Sequence, residues 1–274
     1  MSKQTVEQVR RILDIHLTSQ ARIRPHFFLT GPSGSGKTHN VETICDELMM
    51  PMVAINCAQL TKEGLSGNSL SKALAPVAQS AMGPLVVFLD EFDKLFIRGN
   101  NNSELADDST TSIQNELLKV LEGKTTSVYT GNYGQYADIT IDHCLFVFGG
   151  AWNGEPDLDL DRLRAFGVKT ELLGRVGLIF GMDKVKLSDL LQAVETSELL
   201  DDYCKLFTDA DRDKVVAEVQ KVVTDNYELN TIGYRQIAAL LHQFFINGSL
   251  KSEKKPAVFR KALSLPTPVD LFDN

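Results

Sequence analysis

The chain has 274 residues, 43% of them hydrophobic and 23% charged, which is enough apolar material for one large domain or two smaller ones, and two are expected. A formal net charge of -8 and a pI of about 5.2 exclude a broad basic face for nucleic acid, although not a local basic groove formed on assembly. The four scattered cysteines (Cys45, Cys57, Cys144, Cys204) contain no C-x-x-C pair and read as reduced thiols; with no leader pattern and no apolar run of about 18 residues, a soluble, cytoplasmic protein without membrane association is expected.

In chain order, Val6, Val9, Ile12, Leu13, Ile15 and Leu17 predict an amphipathic helix within residues 1–24, followed by a short buried strand over His26 to Thr30. The next stretch, Gly31-Pro32-Ser33-Gly34-Ser35-Gly36-Lys37-Thr38, is the most informative of the sequence. Its glycines let backbone N–H groups close around phosphates, Lys37 is long enough to reach the β and γ phosphates, and the Thr38 hydroxyl is a ligand for Mg²⁺. His39 completes the cofactor-binding stretch. Val41, Ile44, Cys45, Leu48 and Met49 then repeat at helical spacing until Pro51. Strand, loop and helix therefore occur in the order that a nucleoside triphosphate site needs.

Further strands are predicted over Met52 to Asn56, Leu85 to Leu89, Leu145 to Phe148 and Leu178 to Gly181, with helical patterns between most of them. This argues for a five-stranded parallel sheet flanked by helices. The strand at Leu85 to Leu89 ends in Asp90 and Glu91. Ligands of open α/β sheets bind beyond the carboxyl ends of strands, so Asp90 is a candidate Mg²⁺ partner and Glu91 is placed to polarise an attacking water. Asn100 to Asp108 reads as a flexible loop. Lys124 to Asp138 carries Tyr129, Tyr133 and Tyr136, which could grip a peptide, stack on bases, or decorate a polar hairpin. Asp157, Asp159 and Asp161 read as a helix entry or solvated loop, and the five histidines form no ligand-spaced cluster. Trp152 is expected in the core beside the fourth strand.

From Lys184 the pattern changes. Leu187, Leu190, Leu191 and Val194, then Val215, Val216, Val219, Val222 and Val223, then Ile237, Leu240, Leu241, Phe244 and Phe245 give three or four helices with no strand signal. The expected organisation is an α/β nucleotide-binding domain over residues 1–183, a small α-helical lid domain over 184–250, and a tail over 251–274 whose Pro256, Pro266 and Pro268 forbid a long helix.

At this point the chain resembles the AAA+ ATPases, a P-loop NTPase class, and within them the ClpX and HslU branch of protein unfoldases. The resemblance rests on the phosphate loop, on Val86-Val87-Phe88-Leu89-Asp90-Glu91-Phe92-Asp93-Lys94, on Leu117 to Gly123, on Leu145 to Trp152, on Phe166-Gly167-Val168 leading into Glu171 to Arg175, and on Gly233-Tyr234-Arg235. It implies binding and hydrolysis of ATP with Mg²⁺, Arg175 as an arginine finger reaching a neighbouring subunit's site, and Arg235 as a sensor of the γ phosphate in its own subunit. Either arginine could instead cap a helix or pair with a surface acid. A homo-oligomeric ring, read as a hexamer, follows from the resemblance.

The departures concern the substrate. The stretch matching the unfoldases' pore loop is Gly64-Leu65-Ser66-Gly67, where Leu65 replaces an aromatic paddle and offers no aromatic face. The segment between Ala151 and Phe166 is too short for a protease-docking loop, so no peptidase partner is expected, and no cysteine spacing fits the amino-terminal zinc module. Gly149 and Gly150 stand where a polar sensor residue is usual, leaving Asn153 as the candidate. The expected function is an ATP-driven motor that remodels or translocates protein without a protease. The alternatives are a nucleic-acid motor or loader, and a nucleotide-dependent scaffold with little turnover.

Overall fold

The computed structural model describes residues 3–62, 68–80, 83–96, 104–129 and 135–250. The chain divides into two units, one formed by residues 1–186 with 231–234 and the other by 187–230 with the residues from 235 onward.

The first unit begins with α1 (Lys3–Thr18), β1 (Phe27–Thr30), α2 (Lys37–Glu47), β2 (Met52–Asn56), the one-turn α3 (Leu70–Ala73) and β3 (Leu85–Asp90). It continues through α4 (Glu104–Glu122), β4 (Thr125–Tyr129), β5 (Tyr136–Thr140), β6 (Cys144–Gly150), α5 (Leu160–Phe166), α6 (Thr170–Val176) and β7 (Leu178–Gly181). Five strands form one sheet in the order β2-β3-β6-β1-β7, and every pairing in it is parallel. This is the five-stranded parallel sheet that the strand pattern predicts.

Period-two alternation builds a core on each face of the sheet. Phe28, Leu85, Val87, Leu89, Phe146 and Phe148 point to one side, where Ile113, Leu117 and Val120 of α4 and Leu172, Leu173 and Val176 of α6 cover them. Phe27, Leu29, Val86, Phe88, Leu145 and Val147 point to the other, against Val9, Ile12 and Leu13 of α1 and Val41, Ile44 and Cys45 of α2. Strands with both faces covered read as continuous apolar runs, which is why β1, β3 and β6 were legible without alternation in the sequence, while β2 and β7 at the sheet edges are only partly buried.

Two stretches differ from the simplest reading of the sequence. Of Asn100 to Asp108, residues 100–103 lie outside the described residues and residues 104–108 open α4 and are not loop: the apolar spacing of Ile113, Leu117, Val120 and Leu121 belongs to a helix that starts at Glu104. Within Lys124 to Asp138, β4 and β5 pair antiparallel in register Thr125↔Thr140 to Tyr129↔Tyr136, which is the hairpin alternative, and Tyr133 lies outside the described residues. Trp152 is fully buried and stacks on Phe96 with ring centroids 5.7 Å apart. Asp159 is the N-cap of α5, its side chain accepting from the Arg162 N–H at 2.7 Å, so the acidic stretch is a helix entry.

The second unit contains α7 (Leu187–Glu195), α8 (Glu198–Leu206), α9 (Arg212–Asp225) and α10 (Arg235–Asn247). Leu190, Val194, Leu200, Val215, Val219, Val223, Ile237 and Leu241 are buried within it. Ser197 and Asp211 cap α8 and α9 by accepting backbone N–H bonds. Beside this core Tyr203 stacks on Phe245 at 4.3 Å. The tail over 251–274 lies outside the described residues.

Candidate nucleotide-binding site

β1 runs to Thr30 and the chain then turns through Gly31 to Gly36 before α2 starts at Lys37. Gly36, at φ 86°, is the residue before the helix and supplies no capping side chain, so the first N–H groups of α2 are left for a ligand. Lys37 is buried and its Nζ donates to the carbonyls of Gly31 at 2.7 Å and Pro32 at 3.0 Å, which curls the loop around the ammonium. Ser35 Oγ is buried and has no hydrogen-bond partner among the described residues. Ser33 and His39 are exposed and Pro32, Gly34, Gly36 and Thr38 are half-buried.

The Thr38 hydroxyl donates to Asp90 Oδ2 at 2.9 Å. This contact joins the start of α2 to the end of β3 across the sheet. Asp90 Oδ1 accepts from the Glu91 N–H at 2.8 Å, and Glu91 itself stands exposed with φ 53°, a left-handed conformation uncommon for a residue with a side chain. These carboxylates also act on Cys57: burial first, then Asp90, Asp93 and Glu91, hold its thiol far above the ordinary range, so it stays protonated. The orphan Ser35 hydroxyl, the buried ammonium, the open helix terminus and the Thr38–Asp90 pair fit a magnesium triphosphate.

The remaining predicted residues do not all converge here. Arg175 lies in the last turn of α6, exposed, and its Nη2 is 2.7 Å from Glu122 Oε1 at the end of α4. Arg235 is the exposed first residue of α10 in the second unit. Gly64, Leu65, Ser66 and Gly67 lie outside the described residues. Asn153 is exposed in the turn after β6, with φ 58°. No group of three or more His, Cys, Asp or Glu side chains among the described residues is arranged to hold a metal by itself.

Two features were not foreseen. The segment Thr231–Tyr234 belongs to the first unit although helices of the second flank it in sequence. It lies against the phosphate loop: a Cβ on Gly34 would be 2.0 Å from the Ile232 carbonyl oxygen, and a Cβ on Gly36 3.9 Å from the Tyr234 ring. The hint in the sequence was the Gly233-Tyr234-Arg235 stretch of the resemblance; in the structure Gly233 has φ 56°. The second is Asp93, fully buried one turn beyond Glu91, which the sequence presents merely as half of an Asp-Lys pair.

Residues 27–151 match the family described as "ATPase family associated with various cellular activities (AAA)", which runs from β1 to the end of β6. The chain is 27% identical over 203 residues to the ATP-dependent Clp protease ATP-binding subunit ClpX of Treponema denticola, covering 70% of this chain and 48% of that protein. It is 25% identical over 215 residues to the proteins of the same name from Borrelia duttonii and Borrelia recurrentis, covering 64% of this chain and 50% of each. The chain thus spans about half the length of the curated relatives it matches. No helix among the described residues is long and apolar enough to cross a membrane. The phosphate loop, the sheet with Asp90 and Glu91 at its carboxyl edge, and the matched segment make residues 27–151 similar to the AAA family of ATPases, and the chain similar to ClpX.

Proposed function

We propose that the chain binds and hydrolyses ATP at the phosphate loop and uses the cycle to remodel or translocate a polypeptide. The observation that carries this reading is the Thr38–Asp90 hydrogen bond, which brings the phosphate loop and the acidic strand end into one site with Glu91 beside it. Gly31 to Thr38 hold the phosphates through backbone N–H groups and Lys37, and His39 flanks them. Thr38 and Asp90 would hold Mg²⁺, which would supply charge neutralisation at the phosphates. Glu91, free of the fold's apolar core, accepts a proton from the attacking water. Arg175 acts in trans in a homo-oligomeric ring, taken as a hexamer, after leaving Glu122; Arg235 acts in cis from a lid formed by residues 184–250. The protein works in the cytoplasm without a peptidase, and Leu65 presses on the substrate in place of an aromatic side chain.

A second reading keeps the ATPase and exchanges the substrate for single-stranded nucleic acid. It is favoured by the hairpin, where Tyr129 and Tyr136 meet edge to face at 5.7 Å and Lys72 Nζ lies 5.3 Å from the Tyr129 ring centre, a combination of aromatic faces and positive charge suited to bases and phosphates. The test is an ATPase assay on size-fractionated protein, repeated with an unfolded protein and with single-stranded DNA. Stimulation by the unfolded protein selects the first reading and salt-sensitive stimulation by DNA the second. Tight ATP binding in an intact assembly with negligible turnover selects a scaffold.

A further inference from the structure

Asp93 is a buried acid that the nucleotide chemistry does not use. It sits in the one-turn 3-10 helix Phe92–Leu95, which starts directly after Glu91. Its Oδ2 accepts the backbone N–H of Trp152 at 3.3 Å, and Lys94 Nζ lies 3.7 Å from the same oxygen. Trp152 follows the carboxyl end of β6, the strand paired directly with β3. The acid therefore bridges the ends of two adjacent parallel strands, one of which delivers Asp90 and Glu91.

Three further observations converge on this bridge. Gly150 leaves the space that the acid and the indole share: a Cβ there would meet Trp152 Nε1 at 2.6 Å and Asp93 Oδ1 at 3.1 Å. Trp152 Nε1 is buried without a hydrogen-bond partner among the described residues. Both bridged turns are held in left-handed backbone conformations by residues with side chains, Glu91 at φ 53° on one side and Trp152 and Asn153 at 47° and 58° on the other. Such conformations persist only where surrounding contacts over-determine them, and they concentrate at functional turns. An apolar side chain among Phe92, Phe96 and Trp152 would avoid the desolvation of a carboxyl group, so stability alone does not call for an acid here.

We infer that Asp93 is a positioning residue that fixes the turn carrying Glu91 to the turn carrying Trp152, so that nucleotide arriving at Asp90 and Glu91 is registered at Trp152. The inference rests on the proposed binding of nucleotide at those two acids. Trp152 is the single tryptophan of the chain, so its emission reads the coupling without a label. The 274-residue chain is titrated with a fluorescent ATP analogue to measure binding, and separately with ATP and Mg²⁺ while tryptophan emission and turnover are followed.

In the wild type, emission changes in step with nucleotide saturation. Asp93→Asn keeps an acceptor for the Trp152 N–H, and it retains the emission change and turnover within about threefold. Asp93→Ala binds the analogue within about threefold, loses the emission change, and loses at least about tenfold in kcat at little altered KM. Where Asp93→Ala does not melt cooperatively, Asp93→Ser, whose hydroxyl is too short to span the bridge, is read in its place. An unchanged emission in a wild type that binds the analogue overturns the coupling, as does an alanine variant that keeps both the emission change and kcat. Failure of the wild type to bind the analogue at all overturns the nucleotide reading itself.

Discussion

Gly34 and Gly233 meet backbone to backbone although nearly two hundred residues separate them: a Cβ on Gly233 would lie 2.0 Å from the Gly34 carbonyl oxygen, and a Cβ on Gly34 2.0 Å from that of Ile232. Neither position has room for a side chain: one on Gly233 would begin in the space of Gly34, and one on Gly34 in the space of the Ile232 carbonyl. The phosphate loop is thus shaped partly by a strap from the distant part of the chain, and Gly34 has a steric requirement besides any phosphate. Gly233→Ala is expected to push the strap off the loop and weaken binding of a fluorescent ATP analogue at least about tenfold, with a thermal melt that stays cooperative. Binding equal to wild type would show that the strap's contact is incidental.

Glu91→Gln removes the proposed proton acceptor and leaves the Glu91 N–H bond to Asp90 in place. Nucleotide affinity is expected to stay within a few-fold while turnover falls by about a hundredfold or more, the usual weight of a general base. Single-turnover hydrolysis measured beside analogue binding separates the two. Full activity would remove Glu91 from the mechanism.

Arg175 is tied to Glu122 by an ion pair in which both side chains are about half exposed. Pairs of this kind contribute little, so Glu122→Ala should change stability by no more than about 1 kcal/mol and leave ATP turnover intact. Arg175→Ala should abolish turnover yet recover part of it when mixed with Glu91→Gln subunits, whose arginine is intact. A mixture that stays inactive would place Arg175 outside a neighbouring subunit's site.

His26 is buried at the start of β1, where its Nδ1 accepts the Phe146 N–H at 3.0 Å. Burial, with lesser contributions from Arg24 and His16, lowers its pKa to about 4. The unfolded chain takes up this proton near the ordinary value of 6.5 and the folded chain does not, so the folded state is favoured above pH 6.5 and loses ground as the pH falls toward 4. The loss from His26 amounts to about 3 kcal/mol, and His16, lowered chiefly by its own burial, adds in the same direction. Urea unfolding at pH 7.5 and pH 4.5 should show the decline, and His26→Asn should flatten it. An equal slope in that variant would assign the acid sensitivity elsewhere.

Local chemistry was legible without tertiary structure. The phosphate loop, Asp90 and Glu91 declare themselves because close phosphate contact demands glycine, lysine and threonine at fixed offsets, and because a strand buried on both faces reads as an unbroken apolar run ending at its acids. The order of the strands was not legible: β6 inserts between β3 and β1, and that placement depends on which faces α1, α2, α4 and α6 can cover together. The hairpin of β4 and β5 stayed ambiguous because its strands are polar and mostly exposed, giving no alternation to read. The strap at Thr231–Tyr234 and the burial of Asp93 were decided by the fold alone, since a backbone contact or a buried carboxyl leaves no periodic trace in sequence. The sequence by itself determined what this protein can hold at its phosphate loop. Only the tertiary structure decided which residues stand around that loop, because side chains distant along the chain become neighbours when apolar faces are buried in one particular arrangement.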